Sequence, residues 1–75
     1  MTLADMKVPS QCRIISAANE NIEVQGRLYA LGLYPGVSVS ILRLAPTGDP
    51  IQIRIGGMLL SIRKHEAAII EVEAI

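Results

Sequence analysis

The sequence predicts a mainly β fold, a small β-barrel of about five strands with one α-helix inserted after the first strand. Three observations carry that prediction. Apolar residues make up 51% of the 75, and aliphatic side chains dominate them, with Tyr29 and Tyr34 as the only aromatics. Branched aliphatics fit a pleated, half-buried surface better than a helix bundle. Apolar and polar residues then alternate over several short runs, with Gly and Pro clusters between them, which is the pattern of a small barrel. Closing the sheet also removes edges that Ile-rich strands would otherwise expose.

Taken in order, residues 1–10 show neither period and contain Pro9, so a loose arm is expected ahead of a domain spanning 11–75. Cys12-Arg13-Ile14-Ile15-Ser16 reads as the first strand. Asn19 to Leu31 is the helix, with Asn19 or Asn21 as N-cap and Glu20 and Glu23 near its first turn, where the dipole favours anions. Val24, Leu28 and Leu31 fall at i, i+4 and i+7 and predict one apolar stripe. Gly26 weakens the helix by about 1 kcal/mol relative to Ala, and Gly32 ends it in the left-handed conformation.

Leu33-Tyr34-Pro35-Gly36 follows and carries a Pro-Gly turn of type II, with Pro at the turn's second position and Gly at its third. Val37 to Ile41 alternates as a strand with one face buried. The phase slips at Leu42-Arg43-Leu44, where a bulge or a crossing between barrel faces is expected. Two prolines and a glycine make Ala45 to Pro50 a loop. Ile51 to Ile55 and Met58 to Ile62 form a hairpin about Gly56-Gly57. Arg63 to Ala67 is a short turn of 3₁₀ type, and Ala68 to Val72 is the last strand.

Composition removes several function classes. Seven basic and seven acidic residues cancel, without the basic stripe that nucleic-acid binding needs. No apolar run approaches 18 residues, so direct membrane insertion is not expected. Cys12 has no second cysteine to pair with, and no signal-peptide pattern precedes it, which sets the expectation of a reducing, cytoplasmic location. One His, one Cys and no suitably spaced carboxylate pair leave no triad or acid/base couple, so an enzyme is not expected.

Three segments carry a family resemblance: Arg27 to Gly36 with its Leu31-Gly32-Leu33-Tyr34-Pro35-Gly36 core, Pro46-Thr47-Gly48-Asp49-Pro50, and Ile62-Arg63-Lys64-His65-Glu66-Ala67. In this order and spacing they resemble the FeoA family, over residues 11–75, with Ile62 where a Leu is usual. The resemblance implies an SH3-like barrel and a non-enzymatic role in ferrous iron uptake. It implies as partner a FeoB-type membrane transporter with a cytoplasmic GTPase domain, and so recruitment to the inner face of the membrane. Related domains form the tail of iron-dependent repressors, but residues 1–75 contain no winged-helix pattern, so a repressor role is not expected. Proline-peptide binding of the SH3 kind is disfavoured, since that groove is lined by aromatics.

The candidate partner-binding residues are Leu33, Tyr34, Pro35 and Gly36 in the turn, with Pro46, Gly48 and Asp49 in the loop. Pro35 and Gly36 are explained by backbone geometry alone. Leu33 and Tyr34 either pack on the helix or face a partner as anchors. Asp49 is expected to bond its own backbone; the loop is no phosphate site, lacking the Lys and following helix of a P-loop. No cofactor is required on this reading. The alternative is a metal-responsive regulatory domain, with Fe²⁺ or Zn²⁺ held weakly by His65 and Glu66. Cys12 reads as a small core residue. Self-association is left open.

Overall fold

The computed structural model describes residues 1–75. Its elements are a 3₁₀ turn at Leu3–Asp5, β1 (Ser10–Ala17), α1 (Ile22–Ala30), β2 (Ser38–Leu44), β3 (Ile51–Ile55), β4 (Met58–Ile62), α2 (Lys64–Ala67) and β5 (Ile70–Ala74). One five-stranded sheet runs in the order β4-β3-β2-β1-β5, antiparallel throughout. The expected mainly β architecture, with its helix after the first strand, is the one observed, but the hydrogen-bonded sheet does not close: β4 and β5 do not pair and remain its two edges.

The alternation read from the sequence is the alternation of burial. Cys12 and Ile14 of β1, Val39 and Ile41 of β2, Ile51 and Ile53 of β3, and Ile70 and Val72 of β5 all point into one core of 15 buried residues, none of them polar. A period of two puts such residues on one face of a strand. The phase slip in β2 is a bulge: pairing with β3 shifts between Ile41 and Arg43, so Leu42 is the extra residue. A second bulge in β1 lies between Ile14 and Ser16 and turns Ile15 out to solvent.

Asn21 caps α1, its side-chain oxygen accepting from the Val24 N–H at 3.2 Å. Of the expected apolar stripe, Leu28 is buried and Val24 packs against the core, but Leu31 is the C-cap and is exposed. The helix ends before its third stripe position can turn inward. The short element after β4 is α-helical rather than 3₁₀, and the last strand begins two residues later than expected, at Ile70.

The N-terminal residues depart most from expectation. They do not form a loose arm. Leu3 is buried in the core, Thr2 bridges to Glu71, and Val72 donates its N–H to the Met1 carbonyl at 2.9 Å. Thr2 and Asp5 close a capping box around the 3₁₀ turn, with Thr2 N–H donating to the Asp5 carboxylate at 3.0 Å. Leu3 is the fully buried side chain that ties this segment down, and Ala4 and Met6 pack against the core beside it, too short a set for any periodicity to show. Its position covers the outer edge of β5. The outer edge of β4 has no such cover.

Candidate docking site

The turn after α1 is built by two backbone devices in succession. Leu31 is the C-cap, and Gly32 adopts φ +97° beyond it. Gly32 N–H donates to the Tyr29 carbonyl and Leu33 N–H to the Leu28 carbonyl, each at 2.9 Å. That pair of bonds is a Schellman closure, whose signature is an apolar contact across the helix end. Here Leu28 and Leu33 are the apolar pair, and both are fully buried. Next, Val37 N–H donates to the Tyr34 carbonyl at 3.2 Å across Pro35 and Gly36, with Gly36 at φ +93°. This is the type II turn read from the sequence. It is pinned to β1 by Gly36 N–H on the Ile14 carbonyl at 2.8 Å and Ile14 N–H on the Val37 carbonyl at 2.9 Å.

With Leu33 drawn inward and the turn fixed to the sheet, Tyr34 and Pro35 are left facing solvent. Tyr34 is 48% exposed and Tyr29 39% exposed. Their rings meet edge to face, with centroids 6.3 Å apart and an interplanar angle of 66°, a preferred aromatic arrangement. Leu31 is exposed beside them in sequence. The protein's only two aromatic side chains therefore share one surface at the C-terminal end of α1, held by rigid backbone. Tyr is a large anchor with few rotatable bonds, suited to burial by a partner.

Leu33 is a core residue and not part of that surface, since it is 0% exposed. Tyr29 and Leu31 were missed as surface candidates, because the i, i+4, i+7 pattern placed Leu31 inside and gave Tyr29 no role. The available signal was Gly32: a left-handed residue there folds the chain back, returning Tyr34 towards the last turn of the helix.

The Pro46 to Pro50 loop does not join this surface. It leaves the far end of β2, seven residues along the strand from the Tyr34 turn, a span of about 20 Å at strand rise. Asp49 does not bond its own backbone as expected. Its Oδ1 accepts the Lys64 N–H at 3.0 Å, at the first turn of α2, so it supplies an N-terminal cap from a distant loop. Gly48 N–H donates to the Ala45 carbonyl at 2.7 Å, and the Thr47 hydroxyl donates to the Asp49 carbonyl at 3.0 Å. Loop geometry thus accounts for Gly48 and Asp49, while Pro46 is exposed.

His65 is exposed on α2, while Glu66 is engaged by the Arg27 guanidinium at 2.5 Å, tying α2 to α1. No group of three or more His, Cys, Asp or Glu side chains converges anywhere in the protein. Cys12 is a buried core residue as expected, and its burial raises the thiol pKa above the ordinary value.

The FeoA domain model matches residues 1–74. A Porphyromonas gingivalis Fe(2+) transport protein A/Fe(2+) transporter FeoB fusion protein is 29% identical over 75 residues; the match covers all of this chain and 9% of that protein. Among solved structures, the FeoA protein of Chlorobium tepidum is 39% identical with a TM-score of 0.90, covering 100% of this chain and 70% of that one. FeoA of Stenotrophomonas maltophilia complexed with zinc, described as a prokaryotic SH3 domain protein, is 25% identical with a TM-score of 0.81, covering 97% and 89%. The fold is SH3-like.

Proposed function

Because this chain belongs to the FeoA family, we propose that it is a non-enzymatic accessory protein of ferrous iron uptake that docks on a FeoB-type membrane transporter. The observation that carries this reading is the P. gingivalis relative, in which a transport protein A and a FeoB transporter form one fusion protein. Fusion keeps two modules at millimolar effective concentration, which is useful to modules that work in contact. No helix of this chain is long and apolar enough to cross a membrane, so the transporter supplies the membrane part. The contact on this reading is made to its cytoplasmic GTPase domain, at the inner face of the membrane.

The surface assigned to that contact is the Tyr29–Tyr34 pair with Leu31 and Pro35. Its backbone is fixed by the Schellman closure and by the two bonds that join Gly36 and Val37 to Ile14, so little ordering cost falls on docking. Regulation by a metal at His65 and Glu66 has less behind it, because Glu66 already carries the Arg27 ion pair and a site needs three or four converging ligands.

Titration of the chain against the soluble GTPase domain of a FeoB-type transporter from the same organism tests the reading. Binding tighter than about 100 μM is expected, and replacing both Tyr29 and Tyr34 by Ala should weaken it at least about tenfold with the fold intact. Absence of wild-type binding at that concentration overturns direct docking there. Unchanged binding by the double variant removes the aromatic pair as the contact.

A further inference from the structure

The two edges of the sheet differ in a way that the transporter reading does not use. At β5 the edge is finished. Met1 and Thr2 lie along it, its exposed residues include Glu71 and Glu73, and the N-terminal amine sits 3.4 Å from Glu71. Charge and cover are how natural sheets blunt an edge. At β4 neither device is present. The strand reads Met58-Leu59-Leu60-Ser61-Ile62, with no charge, no proline and no bulge in its pairing with β3. Leu59 is 68% exposed.

The register shows which backbone groups are free. Gly56-Gly57 is a two-residue connection, with positive φ at Gly56 alone, so Ile55 and Met58 form the closing hydrogen-bonded pair. Pairs then alternate, placing the N–H and C=O of Met58, Leu60 and Ile62 towards β3. Those of Leu59 and Ser61 point away from the sheet. None of the 20 backbone hydrogen bonds made outside the helix and strand ladders involves residues 56–62.

We propose that β4 pairs with β4 of a second copy of this chain, antiparallel and centred on Leu60, to form a two-fold dimer with a continuous sheet. Three features select that occupant. In this register Leu59 faces Ser61 of the other copy and Ser61 faces Leu59, so all four outward groups of each strand are satisfied at once. Five uncharged residues meet five uncharged residues, without a like-charge pair across the seam. Head-to-tail addition of β4 to β5 is blocked, because Met1 and Thr2 occupy that edge, so the isologous contact is the one that closes.

Sedimentation equilibrium on the isolated chain, up to about 1 mM, reads the dimer directly. A reversible dimer is expected. Leu59→Lys should weaken it at least about tenfold by charging the edge, and Ser61→Pro should do the same by removing an outward N–H that the fold itself does not need. Circular dichroism checks that each variant folds; if Ser61→Pro does not, Leu59→Lys and cross-linking carry the test. Leu60→Cys should form an intermolecular disulfide on mild oxidation, since paired Cα atoms at the axis lie about 4.5 Å apart. Leu59→Cys should not, because its symmetry mate is displaced by two residues, about 8 Å away. Cys12 is buried and takes no part. A chain that stays monomeric at about 1 mM overturns the proposal, as it would if the edge instead takes a strand from another protein. A dimer indifferent to Leu59→Lys, or one that cross-links equally through Leu59→Cys, overturns it too.

Discussion

Replacing Leu33 with Ala should unfold much of the margin this protein has, whereas replacing the adjacent Tyr34 should not. Leu33 is fully buried and forms, with Leu28, the apolar clasp that closes the end of α1. Truncating a buried Leu to Ala costs about 2–5 kcal/mol, depending on how far the site collapses. A domain of this length has about 4–11 kcal/mol in total. At about 4–8 °C per kcal/mol for a chain this small, a loss of about 3 kcal/mol lowers Tm by about 12–24 °C. Tyr34 is half exposed, and it would lose its edge-to-face contact with Tyr29 together with the buried half of its ring. Such pairs contribute about 0.5–1.5 kcal/mol beyond the area they bury, so Tyr34→Ala, which also loses the buried half of the ring, should cost about 1–2 kcal/mol, below the loss at Leu33. Thermal melts followed by circular dichroism, with urea titrations to give the free energies, measure both. If Leu33→Ala melts within about 3 °C of Tyr34→Ala, Leu33 is not a core residue and the clasp at the helix end is misassigned.

Two further outcomes follow from the caps. Asp49→Ala should destabilise by about 0.5–2 kcal/mol in urea titrations, as loss of a helix cap does, while Asp49→Asn, which keeps an acceptor for the Lys64 N–H, should lose less; equal losses would show that the contact is idle. The Asp5 carboxyl is held below its ordinary 3.8 first by the Thr2 N–H and then by the Thr2 hydroxyl, so its capping contribution is present above that ordinary value and disappears as pH falls through the lower folded one. Melting temperature followed down through the acid range should therefore drop less steeply in Asp5→Asn than in wild type, and identical slopes would remove Asp5 from the acid response.

How much could be read in advance differs by element. The hairpin β3–β4 is local in every respect, and its bounds in the sequence reading match the structure at Ile51–Ile55 and Met58–Ile62. The bulge at Leu42 was legible because a phase slip in a period of two has few other causes. The docking of residues 1–9 was not. It depends on Leu3 finding a gap in the core, with Ala4 and Met6 packed beside it, and these side chains look the same in a sequence whether or not such a gap exists. Asp49 was misread for a similar reason. A turn to its own backbone is the default for an isolated Asp after Gly, and only the fold brings the Lys64 N–H within 3.0 Å of it.

For the candidate site, the Pro35-Gly36 turn was written in residue types that demand its geometry, but which neighbour faces outward was not. Leu33 and Tyr34 are both large and apolar, and the backbone rotation at Gly32 buries one and presents the other. By itself the sequence determined what short-range sterics and strand alternation determine: five strands, one helix, their turns, and the aliphatic core face of each strand. Only the tertiary structure decided which edge of the sheet is covered, that the two tyrosines meet, and that the two expected halves of the docking surface lie at opposite ends of β2. Those depend on contacts between residues far apart in the chain, and no local period encodes a contact whose partner is set by how the strands are ordered in the sheet.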